Sequence, residues 1–574
     1  MKFILRYLKP FFPVMAIGLS IKITGTLVEL ALPYILSYIL KNVVDSQNMR
    51  LILIWGGVMI LCALAACLCN IKANRMAAKV ARDFSEKMRG DLFDRTIRLS
   101  AAQVDSFTVP SLESRITTDT YNIHSFVSMM QRMGVRAPIL LVGGIAITLV
   151  MDRYLALTMI ALLPLLFITV MFISRKGLPL YTRVQKAVDR MIRVVREDFQ
   201  GIRVIKALSK SEYEHRRYDK VNRELVKNEK HAGMTMGLAN PVMTFFMNAG
   251  IVSVVAISAG RVANHQSDPE TVIAFMQYFT LISMAMMSVT RIFMMYTKSS
   301  ASARRVEEVI TAPQDITVKS RAEFPAYKTD AHIKFDGVCF SYNGVKNGVR
   351  DISFELRRGE SLGIIGATGS GKSTVIKLLM RFYDVCSGAI YINGRDIRTY
   401  DLKELHGMFG AAMQSDFIYG ASVEENIRFG RDIGREQIVR AAKIAQAHDF
   451  ISAFPDGYGH MLSPTGTNVS GGQRQRIFIA RAVAASPSIL VLDDSSSALD
   501  YKTDASLRRA LREHMTDSTV ITVAQRVSSV KSCDKIIVLD EGGIIGMGSH
   551  EELMASCGEY REISRSQMGG DFVE

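Results

Sequence analysis

Six apolar stretches occupy the first half of the chain, at about residues 11–40, 51–70, 134–151, 154–174, 236–260 and 271–296. Each is close to the ~20 residues with which an apolar α-helix crosses a bilayer. The pattern therefore predicts six membrane-spanning helices. Two long polar stretches separate some of them, at about 71–132 and 175–233, with helical spacing and many Lys and Arg. Other connections are very short, such as Asp152-Arg153. Basic residues collect on the cytoplasmic side of membrane proteins, so both long stretches belong in the cytoplasm. With an even number of spans, both termini lie there too. The spanning helices then continue past the bilayer as long amphipathic rods. After residue 300 the pattern changes. Residues 312–330 read as a linker, and from about 331 short β-rich runs alternate with helical ones, which predicts an α/β domain. The expected architecture is a membrane α-helical bundle of six spans over 1–311, the linker 312–330, and an α/β domain over 331–574.

Composition agrees with a chain of two natures. Its 574 residues exceed a single compact domain. Apolar residues make up 48% and the mean hydropathy is +0.16, between the values of a soluble protein and a pure membrane bundle. The formal charge is +15. The basic stretches adjoin apolar spans, so a cytoplasmic membrane face explains the charge and no nucleic-acid partner is expected. The seven cysteines show no ligand or disulfide spacing and read as reduced, structural residues. No small-residue cleavage site follows the first ten residues, so no signal peptide is expected.

Chemistry enters at Gly366-Ala-Thr-Gly-Ser-Gly-Lys-Ser-Thr374, between an apolar strand, Ser361–Ile365, and a helical run, Val375–Met380. Gly366, Gly369 and Gly371 let the backbone curl so that N–H groups converge on phosphate, with Thr368 and Ser370 in the same turn, and the helix N-terminus favours an anion. Lys372 would reach the β- and γ-phosphates and Ser373 would hold Mg²⁺, with Thr374 opening the helix. Ile489-Leu-Val-Leu-Asp493 is a buried-strand pattern ending in a carboxylate, and Asp493 suits an Mg²⁺ ligand. ATP and Mg²⁺ are the expected ligands.

Further stretches carry a family resemblance. Val469-Ser-Gly-Gly-Gln473 resembles the signature motif of ATP-binding cassette (ABC) proteins, Ala412-Met-Gln414 the Q-loop, and Ser497-Ala-Leu-Asp500 the D-loop. Tyr342 resembles the aromatic residue that stacks on adenine. Glu29–Pro33, Ser114–Asp119, Gly201–Lys206 and Ala301–Glu308 resemble the membrane half of bacterial exporters. The resemblance to exporter-type half-transporters covers nearly the whole chain. It implies an exporter-type membrane domain followed by a P-loop ATP-binding domain, in the cytoplasmic membrane. It also implies two such domains facing head to tail. Ser470, Gly471, Gly472 and Gln473 would then complete the partner's ATP site, and Asp500 would lie at the interface. Gln414 would join Ser373 and Asp493 around Mg²⁺. The loop ends near Phe107–Leu112 and Ser209–Glu214 would dock on the ATP-binding domains.

Two positions depart from the family pattern. The residue after Asp493 is usually Glu and here is Asp494; the switch histidine is replaced by Gln525. Asp withdraws the carboxylate by roughly 1 Å, enough to cost ~10²-fold in rate. Gln hydrogen-bonds phosphate but does not exchange a proton as His does. More mildly, Pro464 stands near a position where many exporters carry Glu. The pattern resembles the degenerate-site subunit of heterodimeric multidrug exporters. It implies a slow site on this chain and a partner half-transporter carrying Glu and His. In the first span Lys22 and Glu29 share a helical face, suiting structural pairing or cavity water before substrate contact. Arg136 and Arg291 read as snorkelling to head groups. Met276, Met284, Met286, Met287, Met294 and Met295 in the sixth span suit packing, or a cavity for varied apolar ligands. The expected function is ATP-driven export of amphipathic drugs or lipids. The alternatives are a nucleotide-gated regulatory or channel-like protein and an importer on the exporter fold.

Overall fold

The structure is a computed structural model and describes residues 1–44, 47–264, 268–342, 348–495 and 497–568. The chain forms two compact units: Met1–Arg98 with Thr108–Ala312, and Leu99–Phe107 with Pro313–Glu574.

The first unit is helical. Its main elements are α1 (Phe12–Tyr38), α2 (Met49–Ile97), α3 (Thr120–Met151), α4 (Arg153–Gln200), α5 (Ser211–Gly237), α6 (Ala239–Ala263) and α7 (Pro269–Ile310). The 49 residues of α2 rise about 73 Å at 1.5 Å each, more than twice a ~30 Å hydrocarbon layer. The sequence of α2 changes character along that length. Leu53, Ile54, Ile60, Leu61, Leu64 and Leu68 are exposed, while further on Ala73, Ala77, Val80, Ala81, Phe84, Met88 and Leu92 are buried. The first set suits lipid; the second repeats at helical spacing and forms one packed stripe. Asn48 caps α2, accepting from Arg50 N at 3.1 Å. Asp152 caps α4, accepting from Tyr154 N at 2.9 Å, which makes the tight turn after α3. Helix α1 packs on α2, α3 on α7, and α4 on α5.

Five helical stretches among the described residues are long and apolar enough to cross a membrane: Lys2–Val44, Met49–Ile97, Val109–Met151, Thr244–Ala263 and Pro269–Ile310. The predicted span 154–174 falls on α4, where the apolar stretch found is the shorter Arg153–Thr169. The expected six is thus one more than the helices that meet this measure.

The second unit contains two sheets. The strands are β1 (Ile333–Phe340), β2 (Val349–Leu356), β3 (Ser361–Gly366), β4 (Ser387–Ile392), β5 (Arg395–Asp396), β6 (Phe409–Ala412), β7 (Ile489–Asp493), β8 (Thr519–Val523), β9 (Lys535–Asp540) and β10 (Gly543–Gly548). One sheet has the order β2-β1-β4-β5, the other β10-β9-β3-β8-β7-β6. Strands β9, β3, β8, β7 and β6 are parallel. Every residue of β7 is buried, as a central parallel strand covered on both faces requires. The helices that matter for the site are α8 (Lys372–Leu379), α9 (Gly471–Val483), α10 (Tyr501–His514) and α11 (Gly558–Met568).

The segment 312–330, expected to be a linker, is anchored along the second unit. Lys319 N donates to Arg398 O at 2.8 Å, Tyr327 N to Gly394 O at 2.7 Å, and the fully buried Arg381 donates to Thr317 O at 2.8 Å. The short helix Ala101–Phe107 belongs to this unit as well. Gln103 donates to Pro313 O at 2.6 Å and Tyr383 OH to Asp105 at 2.5 Å. The expected docking end, Phe107–Leu112, therefore corrects to Leu99–Phe107. The polar side chains of that helix carry the contact, and periodicity of apolar residues does not register them.

Candidate functional site

Four neighbouring parallel strands end on the same edge, and each delivers one functional segment. Strand β3 runs into the Gly366–Ser373 loop, β8 into Gln525, β7 ends at Asp493 and β6 leads to Gln414. The carboxyl edge of a parallel sheet is where ligands of α/β folds sit. A cavity of about 460 Å³ opens there, lined by Thr368, Gly369, Gly371, Lys372, Ser373, Thr374, Gln414, Asp493, Asp494 and Gln525 among others.

The loop is shaped for close approach. A Cβ on Gly366 would sit 2.1 Å from Leu539 O. Gly371 has φ +99°, a left-handed geometry natural only to glycine, and initiates α8. Lys372 Nζ donates to Gly366 O at 2.9 Å and Ala367 O at 2.8 Å, so the ammonium folds over the loop mouth. Burial holds its pKa below the ordinary lysine value, against the pull of Asp494 and Asp493. Ser370 Oγ is buried with no hydrogen-bond partner among the described residues. An orphaned hydroxyl, an ammonium and a helix N-terminus around one concavity fit a polyphosphate. Ser373 Oγ donates to Asp493 Oδ1 at 3.2 Å. This hydroxyl–carboxylate pair beside the Gln414 amide is an all-oxygen donor set that fits Mg²⁺. Burial raises the Asp493 carboxyl above its usual range, while the Ser373 hydrogen bond opposes.

Asp494 and Gln525 touch. Gln525 Nε2 donates to Asp494 Oδ2 at 3.2 Å. Asp494 has φ +52°, a region where Asp and Asn are enriched several-fold over other side chains. Its N–H donates to Val523 O at 2.9 Å, tying β7 to β8. Burial raises its carboxyl as well, with Lys372 and Arg526 pulling the other way. The next switch residue, Arg526, lies over the Tyr501 ring at 5.0 Å. Tyr342 stands edge-on to Phe340 and Tyr383, and its hydroxyl lies 3.4 Å from Thr374 Oγ1.

The signature residues are not on the wall of this cavity. Ser470 caps α9 in a capping box: Gln473 N donates to Ser470 Oγ at 3.2 Å, and Ser470 N to Gln473 Oε1 at 2.9 Å. Ser470 and Gly471 are exposed, and a Cβ on Gly472 would lie 3.1 Å from Ala498 O. Asp500 caps α10, accepting from Thr503 N at 2.9 Å. The signature and D-loop thus form a second, outward patch.

In the helical unit Lys22 is 4% exposed. It donates to Asn70 Oδ1 at 2.6 Å and Asn74 Oδ1 at 3.2 Å, both on α2. Glu29 instead pairs with Arg136 on α3. The two charges of α1 therefore have separate partners. Arg136, expected to snorkel, keeps a partly exposed side chain and reaches Glu29 across the helix interface.

Sequence reasoning missed three groups. Arg381 and Arg526 have no motif. Gln567 lies far along the chain, yet lines a second cavity beside the site together with Asp494, Ser497, Tyr501, Gln525, Arg526 and Ser528.

Fold and site together define a membrane protein with a P-loop nucleotide site. Residues 15–286 match the ABC transporter transmembrane region and residues 349–497 the ABC transporter family. An uncharacterised ABC transporter ATP-binding protein of Mycobacterium tuberculosis is 33% identical over 569 residues, covering 98% of this chain and 97% of that one. Another, of Bacillus subtilis, is 31% identical over 99% of each chain. A fatty acid ABC transporter ATP-binding/permease protein of Mycobacterium tuberculosis is 30% identical over 84% of this chain and 76% of that one. A bacterial Atm1-family ABC exporter with ATP bound has the same fold, with TM-score 0.81 and 22% identity over 99% of both chains. The chain belongs to the ABC transporter family: it joins a multi-pass membrane region to an ATP-binding domain of the kind that couples ATP hydrolysis to transport, in the fold of an exporter.

Proposed function

We propose that this chain is the degenerate-site subunit of a heterodimeric exporter in the cytoplasmic membrane. Its six spans occupy 1–311, the connecting segment is 312–330, and the ATP-binding domain, 331–574, is cytoplasmic, as are both termini. The observation that carries this reading is the hydrogen bond from Gln525 to Asp494. The two altered positions satisfy each other. The shortened carboxylate is engaged by an amide, which leaves it less free to polarise an attacking water. Thr368–Thr374, Lys372 above all, bind ATP; Ser373, Gln414 and Asp493 hold Mg²⁺; Tyr342 stacks on adenine. The site binds ATP and turns it over slowly. Ser470, Gly471, Gly472 and Gln473, with Asp500 beside them, complete the fast site on a partner half-transporter that carries Glu and His. The exposure of Ser470, Gly471 and Asp500, and the placement of all five outside this chain's own cavity, support that division. The cargo is an amphipathic drug or lipid. The fatty acid transporter of Mycobacterium tuberculosis supports a lipid-like cargo.

The test is to purify the full-length chain from its own membrane and identify the chain that accompanies it. A second ABC chain with Glu and His at the equivalents of 494 and 525 is expected. ATP turnover by this chain alone at the rate of ordinary exporters would overturn the reading.

A further inference from the structure

The switch segment Ala524–Arg526 joins β8 to the short helix Val527–Val530. Its first residue is tied to the sheet, Ala524 N donating to Ile364 O at 3.1 Å. Beyond that point, one side chain from the last turn of α11 meets its backbone twice. Gln567 Oε1 accepts from Val527 N at 2.7 Å, and Gln567 Nε2 donates to Gln525 O at 2.7 Å. The helix that carries Gln567 is firmly seated. Tyr560 is fully buried, its hydroxyl lies 2.8 Å from His550 Nδ1, and it packs in one apolar cluster with Val527 and Val530, against which Ile563 also lies. A seated helix presenting a two-point amide contact fixes both position and orientation of the backbone it grips, which a single hydrogen bond does not.

The gripped segment carries two active side chains. Gln525 reaches Asp494 at 3.2 Å. Arg526 reaches the other way, towards Leu499 O at 3.5 Å and over the Tyr501 ring, within and just after the D-loop. We propose that Gln567 is a positioning residue of the nucleotide site: its carboxamide sets the Gln525–Val527 backbone, and through it the reach of Gln525 to Asp494 and of Arg526 to the D-loop. The C-terminal helix is thereby part of the ATP-handling machinery. The proposal rests on the ABC site itself and holds whether that site is slow or fast.

The experiment uses the full-length chain with the partner that accompanies it. Radiolabelled 8-azido-ATP is photo-crosslinked, the two chains are separated by electrophoresis, and two quantities are read on this chain: the labelling affinity and the rate at which bound triphosphate becomes diphosphate. Gln567→Ala is expected to slow conversion about fivefold, the scale of one or two lost hydrogen bonds, with labelling affinity within twofold of wild type. Gln567→Glu keeps an acceptor for Val527 N and loses the donor to Gln525 O, so an intermediate slowing is expected. In a Gln525→Ala background, Gln567→Ala should have a smaller effect, because the part that acts through Gln525 is already lost and only the Arg526 arm remains. Wild-type conversion in both Gln567 variants would overturn the proposal. So would an effect that adds in full to that of Gln525→Ala, or a parallel fall in labelling affinity. Wild-type conversion at the rate of ordinary exporters would instead overturn the degenerate-site reading and leave the Gln567 comparison intact.

Discussion

At the scale of single residues, the site departs from the family pattern in a carboxylate one methylene shorter and in an amide where a titratable imidazole stands. Asp494 and Gln525 are hydrogen-bonded, so their effects should not add. Asp494→Glu alone lengthens the carboxylate into an amide already in place. Gln525→His alone leaves the carboxylate short. The double change Asp494→Glu, Gln525→His should raise conversion of ATP on this chain by about 10²-fold, well above the product of the single effects. Single-turnover measurements on the four proteins check this. A second residue-scale prediction concerns pH. His332 is buried, its Nδ1 2.7 Å from Thr519 Oγ1, and burial, aided by Arg358, holds its pKa below the ordinary 6.5. The folded state thus favours neutral imidazole, and the unfolded chain binds the proton more readily. The resulting stability is complete above about pH 6.5 and is lost as pH falls through the lowered folded value. Melting curves between pH 8 and 5 should show this loss, and His332→Gln should flatten it.

At the scale of elements, one buried polar knot shows how α3 and α7 are held together. Asp119, beside the start of α3, is fully buried and accepts from Ser302 Oγ at 2.8 Å and Arg305 Nε at 2.7 Å on α7, while Asn122 donates to Ser302 at 3.1 Å. Asp119→Ala should cost about 2 kcal/mol, below the 3–5 typical of a broken buried pair, because the half-exposed Arg305 can turn to water. Thermal unfolding in detergent checks the size. This knot also marks what periodicity can and cannot express. Ser114–Asp119 and Ala301–Glu308 stand out in the sequence as family-like stretches, but nothing in their spacing says they meet. Apolar patterning located the long helices because burial in lipid or core is a one-dimensional signal. At 154–174 the signal is weaker, because proline-bearing α4 carries a shorter apolar stretch, Arg153–Thr169. The phosphate loop and Asp493 were legible because a strand, a loop and a helix are contiguous. Lys22 and Glu29 were legible as charges in a span, but their separate partners on α2 and α3 were not, since partner choice depends on how helices pack. Gln567 was invisible for the same reason: its contact spans 42 residues of chain.

At the scale of the whole molecule, the question is which surface of this chain controls hydrolysis by the pair. If the chain's own cavity were the productive one, disabling Asp494 would stop turnover, while altering Ser470, which serves the partner's site, would matter little. The proposed division of labour predicts the opposite asymmetry. Asp494→Asn removes a carboxylate from a site already slow, so ATPase of the complex should change by less than about twofold. Ser470 needs a more careful substitution, because it caps α9 and Ser→Ala would cost about 1 kcal/mol of helix stability. Ser470→Asp keeps a good cap, since Asp serves that position as well as Ser. It also puts a negative charge where the γ-phosphate of the partner's ATP should lie. Loss of a preorganised donor to a developing anion is worth ~10²-fold or more, and a repelling charge adds to that. ATPase of the Ser470→Asp complex should therefore fall about 10²-fold with its melting temperature unchanged. Equal losses in the two variants would mean that both sites work, and a larger loss in Asp494→Asn would return the chemistry to this chain.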